Sequence, residues 1–172
     1  SGAKLAGVKL DELAGKPLTY TEVGATATTM PDGYHHLRKS SVIGRGRDRF
    51  EQAAAAGMRW GMLRGAGLRV DAAEPVAKVG CDVLVHLGPV KAPCRVVYVV
   101  DEADRRGFAY GTLPGHAESG EELFLVSYDP ATTDVRAEVA AFSQHATWWS
   151  RLGAPVTSLV QRLVTDRYLR AL

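Results

Sequence analysis

Cysteine is scarce in this sequence. The chain has two cysteines, Cys81 and Cys94, and they do not form a Cys-x-x-Cys pair. Because structural disulfides belong to oxidising compartments and to small cysteine-rich domains, this usage predicts reduced thiols in a cytoplasmic protein. We therefore do not expect disulfides to hold the fold together.

Long apolar runs and a strong net charge are also missing. No stretch approaches the roughly 18 consecutive apolar residues of a membrane span. The chain has 21 Lys and Arg residues against 19 Asp and Glu residues, which gives a net charge of +2. That charge is too small for a general polyanion binder, whose affinity comes from counterion release. We expect neither a membrane span nor nucleic acid as a partner.

Common catalytic and cofactor motifs are absent as well. Gly44-Arg45-Gly46 precedes a helical pattern, but Arg49 stands where a dinucleotide-binding fingerprint has glycine. The histidines at positions 35, 36, 86, 116 and 145 lack metalloprotease spacing, and there is no Gly-x-Ser-x-Gly elbow. We therefore expect no metal and no cofactor.

The composition is otherwise that of a globular domain. The 172 residues are 46% hydrophobic and 23% charged, close to the average for folded proteins. At a prior of about 150 residues per domain, residues 1–172 form a single domain. Residues 1–16 are expected to be a poorly ordered or peripheral start.

Strand and helix patterns follow one another along the chain. Extended segments are predicted at Leu18 to Val23 and at Tyr34 to Ile43. Apolar side chains recur at helical spacing from Arg47 to Leu63, and glycines follow. A series of short β signals comes next, at Val79 to Leu87, Cys94 to Val100, Phe108 to Leu113, Glu122 to Tyr128 and Val135 to Phe142.

Short turns separate these β signals, so neighbouring strands must pair antiparallel. A final helix is predicted from Pro155 to Leu172, with an apolar stripe along one side. The fold class is therefore α+β: a curved antiparallel sheet wrapped around a long C-terminal helix, with one additional helix in the N-terminal half. This layout resembles the helix-grip fold of steroid- and lipid-transfer domains and of the birch-pollen allergen, which implies an apolar ligand between sheet and helix.

A more specific resemblance lies in the segment from Gly107 to Phe124, where the distinctive string is Tyr-Gly-Thr-Leu-Pro-Gly-His, residues 110–116. Together with Arg95-Val96-Val97-Tyr98 and the last six residues, it resembles an uncharacterised family of bacterial and plant proteins known as a domain of unknown function. The resemblance runs from about Thr19 to the C-terminus. The chain departs from the family pattern at Ser143-Gln144-His145, where we expect Ser, a basic residue and Pro.

The same segment supplies the candidate catalytic residues. A histidine beside carboxylates can do acid-base work, which makes candidates of His116, Glu118 and Glu122. The alternative is a solvated hairpin tip in which Glu122 pairs with a nearby arginine. Gly111, within a strand, predicts a bulge or the close approach of another group.

Three functions are compatible with these patterns. The leading hypothesis is a module that binds an apolar or amphipathic small molecule between the sheet and the C-terminal helix. Its predicted ligand-binding residues are Tyr34, His36, Arg95, Tyr98, Tyr110, Thr112, Phe124 and Phe142. The second is an enzyme on the same scaffold that uses His116 with Glu118 or Glu122. The third is an interaction domain that uses the basic segment from Arg38 to Arg49.

Some of these residues have structural alternatives. Arg95, on a central strand, can pair with a carboxylate of the sheet instead of a ligand. Trp148 and Trp149 precede the last helix, where they can roof a cavity mouth or pack the helix onto the sheet.

Overall fold

A seven-stranded antiparallel sheet forms the framework of the molecule. The computed structural model describes residues 7–146 and 164–172. Within them the strands are β1 (His35–Arg45), β2 (Arg69–Ala72), β3 (Asp82–Leu87), β4 (Val90–Asp101), β5 (Arg105–Thr112), β6 (Glu118–Tyr128) and β7 (Asp134–His145). Their order across the sheet is β1-β7-β6-β5-β4-β3-β2. Strands β2 to β7 therefore follow one another across the sheet in sequence order, and β1 lies at the edge beside β7.

Helices cover one face of this sheet, which we call the inner face. Helix α1 (Arg47–Met58) and helix α2 (Gly61–Gly65) connect β1 to β2, and residues 164–170 are helical. Their apolar side chains share one core with the strands, for example Phe50 of α1, Phe124 of β6 and Leu169 of the C-terminal helix. None of the helices in the described part of the chain is long and apolar enough to cross a membrane.

The predicted single helix from Arg47 to Leu63 is wrong in one respect, because the structure has two helices there. Trp60 adopts a left-handed conformation with φ of 66° between them. The indole is fully buried, and its N–H donates a hydrogen bond to the carbonyl oxygen of Glu74, 3.1 Å away. Burial of this large side chain stabilises a backbone conformation that non-glycine residues rarely adopt.

The strand predicted at Leu18 to Val23 is also wrong. Residues 18–23 have no strand structure, and the strand β2 was not foreseen. Instead of pairing along a neighbouring strand, the segment from Leu13 to Met30 crosses the face of the sheet opposite the helices. We call this face the outer face and this stretch the N-terminal segment. Leu13 lies in the stretch expected to be peripheral, yet its side chain is fully buried.

The carboxylate of Glu121 fastens the N-terminal segment to the outer face. Its Oε1 accepts hydrogen bonds from the Tyr20 hydroxyl and from the Gly24 N–H, both at 2.7 Å. Its Oε2 accepts from the N–H of Thr26, at 3.0 Å, and from the Thr26 hydroxyl. Glu121 is only 3% exposed. The four donors satisfy a charge that would otherwise be strongly unfavourable in the interior.

Gly111 gives the N-terminal segment room to pack. A Cβ atom at this position would lie 2.3 Å from the hydroxyl oxygen of Tyr20 and 2.6 Å from its ring. The predicted close approach of another group at Gly111 is thus confirmed, and the group is the Tyr20 side chain. Thr112 and Ser119 add hydrogen bonds to the Thr19 hydroxyl.

Replacing Glu121→Gln is expected to destabilise the protein by about 2–4 kcal/mol, because the amide has only one oxygen to accept four hydrogen bonds. Urea unfolding followed by circular dichroism measures the loss. Glu138→Gln is the control, since Glu138 pairs with the half-exposed Arg38 on the same face, and its loss is expected to stay below about 1 kcal/mol. Equal unfolding midpoints for the Glu121 variant and the natural protein would contradict this role of Glu121.

Candidate functional site

The side chain of Glu122 lies on the inner face of the sheet. Side chains alternate along a strand, so Glu121 and Glu122 point to opposite faces. The hydroxyl of Tyr110, directly opposite on β5, lies 3.4 Å from Glu122 Oε1. Burial raises the pKa of Glu122 to about 7, and the hydrogen bond from Tyr110 offsets only part of this rise. The carboxyl group is therefore a titratable acid close to neutral pH.

Aromatic rings surround this carboxyl group. The rings of Tyr110 and Phe124 are 5.3 Å apart, and Tyr168 of the C-terminal helix packs edge-on against Phe124 at 5.3 Å. Burial raises the pKa values of Tyr110, Tyr168 and the Cys94 thiol, and the negative charge of Glu122 raises them further. These groups stay neutral at physiological pH, so none of them neutralises the carboxylate.

Glu122 keeps contact with solvent on the inner face. Ala141 on β7 lies opposite Glu122, and Leu37 on β1 lies opposite Ala141. All three side chains keep partial exposure. One pair further along, Phe124 and Val139 are 3% and 0% exposed. The row of Glu122, Ala141 and Leu37, which we call the inner strip, is thus where the sealed core ends and accessible surface on the inner face begins.

Glu122 has no ionic partner among the residues that the structure describes. A basic residue on the same face of β1, Lys39, pairs with a different carboxylate: its Nζ is 3.0 Å from Asp166 of the C-terminal helix. Hydrogen bonds to Glu122 are equally few, since Tyr110 alone donates to it within that part of the chain. The predicted alternative, an arginine partner for Glu122, is therefore not found there.

A second polar pair lies at the end of the sheet where β6 starts and β7 finishes. Glu118 Oε1 is 3.0 Å from Nδ1 of His145, and both side chains are mostly buried. Burial raises the pKa of Glu118, and the neighbouring His145 partly offsets this. The ring of His35 lies 6.2 Å from that of His145. Sequence reasoning noted His145 only as a departure from the family pattern, because its partner depends on the register of β6 against β7.

His116 does not form the predicted acid-base pair with a carboxylate. Its Nδ1 accepts a hydrogen bond from the backbone N–H of Glu118, at 2.9 Å. Burial lowers the pKa of His116 to about 4. The imidazole is thus neutral at physiological pH and caps the turn, while the Glu118 carboxylate faces a different histidine.

The structure does not bring the predicted ligand-binding residues together at one place. Tyr110 and Phe124 lie on the inner face with Glu122. The others lie on the outer face or at its margin: Tyr34, His36, Arg95, Tyr98, Thr112 and Phe142. The two groups are separated by the sheet itself, so a single small molecule cannot contact both.

The outer-face residues hold the N-terminal segment. Phe142 packs against the rings of Tyr20 and Tyr34, at 5.7 and 5.1 Å. The Tyr98 hydroxyl shares a hydrogen bond of 2.6 Å with Thr26. Arg95 donates to the Asp82 carboxylate and to the carbonyl oxygens of Leu13 and Lys16. Arg95 thus makes the structural pairing that the sequence left open as an alternative.

A groove of about 490 Å³ also opens on the outer face. Its floor is apolar, with Leu123 and Leu125, and Tyr98 lies at one side. The charged residues of its rim are already paired, Arg38 with Glu138 and Arg105 with Glu102. These charged side chains therefore already have ionic partners, whereas Glu122 has none among the described residues.

The basic segment from Arg38 to Arg49 is largely neutralised. Its ion pairs are Arg38 with Glu138, Lys39 with Asp166, Arg45 with Asp134 and Arg47 with Asp104. The Arg49 guanidinium donates to the carbonyl oxygens of Ile43 and Leu172. Paired cations are poorly placed to replace the counterions of a nucleic acid. Trp148, Trp149 and the predicted helix start at Pro155 lie outside the described residues.

The strand order and the helices on the inner face define a helix-grip fold, as the sequence predicted. Both cysteines are free and buried. The solved structure of major latex-like protein 151 from Panax ginseng matches this one with a TM-score of 0.50, at 18% identity, over 81% of this chain and 98% of that chain. At this level of identity the likeness concerns the fold alone.

The chain belongs to the family described as Domain of unknown function (DUF1990), whose model matches residues 19–171. A UPF0548 protein of Deinococcus radiodurans is 35% identical over 163 residues, which cover 87% of this chain and 80% of that protein. A UPF0548 protein of Arabidopsis thaliana is 32% identical over 140 residues, which cover 76% of this chain and 68% of that protein. The resemblance to an uncharacterised family of bacterial and plant proteins is confirmed.

Glu122→Gln is expected to stabilise the folded protein above pH 7. The pKa of Glu122 rises from 4.5 to about 7 on folding, so the folded state binds the proton more tightly than the unfolded state. The native state therefore loses stability as pH rises from below 4.5 to above 7. Glutamine does not ionise, and the variant should gain about 1–3 kcal/mol at pH 8 relative to the natural protein.

Urea unfolding of both proteins at pH 4.5 and pH 8 measures this difference. The gain should be much smaller at the lower pH, where Glu122 is protonated in the folded state and about half protonated in the unfolded state. A variant that is less stable than the natural protein at pH 8 would show that the Glu122 carboxylate has a stabilising partner.

Proposed function

We propose that this protein binds a small molecule with an apolar body on the inner face of the sheet, beneath the C-terminal helix. The observation that carries the proposal is the inner strip, where Glu122, Ala141 and Leu37 stay partly exposed beside a sealed aromatic core. Ligand sites in proteins are typically concave and mostly apolar, with a few polar groups that fix orientation.

The residues of the inner strip supply that combination. Ala141 and Leu37 are apolar and partly exposed, and Ala141 is small, which supports an apolar contact surface between β1 and β6. Phe124 and Tyr168 close one end with aromatic rings. Glu122 with Tyr110 provides the polar contact that would orient the bound molecule. The helix-grip fold is compatible with such a site but does not by itself assign one.

Binding is a better proposal than catalysis for this site. General acid-base work requires a titratable group within hydrogen-bond reach of the proton that it transfers. His116, the predicted acid-base residue, is occupied by the backbone N–H of Glu118, and burial holds its pKa at about 4. These two observations favour binding over the hypothesis of an enzyme that uses His116 as its acid-base residue.

Ala141→Trp tests the proposal by placing a large side chain beside Glu122. The neutral apolar dye Nile red should bind the natural protein with a rise in fluorescence, and the variant should bind it at least about tenfold more weakly, a loss of about 1.4 kcal/mol. Val42→Trp is the matched control, because Val42 is 45% exposed on the outer side of β1. It should leave the affinity for the dye unchanged.

Circular dichroism of each variant shows whether the fold is intact. Equal dye affinity in the natural protein and in a folded Ala141→Trp variant would place the bound dye elsewhere and contradict the proposal. Native mass spectrometry of protein purified from its own cells adds a direct test, since a co-purified small molecule should be absent from the Ala141→Trp variant.

A further inference from the structure

Resting on the binding function proposed above, we propose that the ligand carries a positively charged nitrogen beside its apolar body and that Glu122 is the group that pairs with it. The inference concerns the class of ligand. It follows from three features of the inner strip: a carboxylate without a counter-charge among the described residues, aromatic rings near it, and partly exposed apolar side chains beside it.

The first step is the missing counter-charge. Transfer of a carboxylate from water to a protein interior is strongly unfavourable unless a cation or several hydrogen bonds compensate. Glu121, on the other face, receives four hydrogen bonds. Glu122 receives one long contact of 3.4 Å from Tyr110 among the described residues. A ligand could therefore supply the hydrogen-bond donor that the Glu122 carboxylate lacks among these residues.

The second step is the chemistry of the surroundings. Cations bind favourably over aromatic faces, and the interaction strengthens when water is excluded. Tyr110, Phe124 and Tyr168 provide aromatic rings next to the Glu122 carboxyl group. A ligand carboxylate would be repelled by Glu122, and a purely apolar ligand would bury the charge still further. An ammonium group on an apolar body satisfies both the carboxylate and the rings.

The third step is the dependence on pH. Among the described residues, Cys94 on β4, Tyr110 on β5 and Tyr168 on the C-terminal helix interact with Glu122, and burial raises the pKa of each. Two charged pairs lie further along the same face, Lys39 with Asp166 and Glu118 with His145. The facing residue on β7, Ala141, does not titrate. The Glu122→Gln variant therefore serves to assign a pH-dependent change in affinity to Glu122 and not to the Glu118–His145 pair. An aliphatic amine stays protonated between pH 5 and pH 8, so its affinity should rise as Glu122 ionises.

The experiment compares three probes that share a ten-carbon alkyl chain: n-decylamine, n-decanol and n-decanoate. The displacement of Nile red at pH 8 measures the affinity for each probe, with every probe kept below its aggregation concentration. The natural protein should bind the amine at least about tenfold more tightly than the carboxylate. Glu122→Gln should lower the affinity for n-decylamine by about tenfold or more and change the affinity for n-decanol by less than about threefold. Glu138→Gln, a carboxylate removed from the outer face, should leave all three affinities unchanged.

The outcomes separate this inference from the proposed function. Equal binding of the three probes, or an amine preference that survives Glu122→Gln, would overturn the ionic role of Glu122 while the apolar site stands. Failure of all three probes, decanol included, to displace the dye would overturn the proposed function itself. Pairing with Glu122 also predicts that the affinity for n-decylamine falls from pH 8 to pH 5, whereas the affinity for n-decanol stays unchanged.

Discussion

The carboxylate of Glu121 is the interaction on which the architecture of the outer face depends. By accepting hydrogen bonds from Tyr20, Gly24 and Thr26, it holds the N-terminal segment across the sheet. A helix-grip fold covers one face of its sheet with helices, and the other face would then be open to water. Here the segment covers that face, so apolar residues such as Leu123 and Leu125 are buried on it as well. The sheet therefore stabilises the fold from both of its surfaces.

Two consecutive acidic residues of β6 have opposite physical situations because of this arrangement. Glu121 faces the N-terminal segment and is fully satisfied, whereas Glu122 faces the aromatic core and the inner strip with little compensation. The alternation of a strand separates them without any difference in residue type. A change of register by one residue would exchange the two environments and leave the N-terminal segment without its anchor. The same pairing of β6 with its neighbours thus determines both the stability of the fold and the chemistry of the candidate site.

Much of the fold could be predicted from the sequence, but the division of residues between the two faces could not. Short turns between β signals are enough to indicate an antiparallel sheet, and Gly111 indicates a close packing partner. The face of Tyr98 depends on a bulge between Val96 and Tyr98, which shifts the alternation of β4. The path of residues 18–23 depends on the distant Glu121. Long-range contacts of this kind leave no local periodicity, and for the same reason the pairing of Glu118 with His145 could not be foreseen.

The burial of Glu122 links folding to the proposed ligand binding through one carboxyl group. Within the described residues the Glu122 charge is compensated only by Tyr110, so an uncharged residue would make the folded state more stable, and the packing of the core does not explain the presence of a glutamate. A cation bound beside it would supply the missing compensation. Because the site exists only in the folded protein, that ligand would also raise the free energy of unfolding in proportion to the logarithm of its concentration. Glu122 thus lowers the stability of the folded protein by its own charge, and the same residue would raise that stability by pairing with a bound cation.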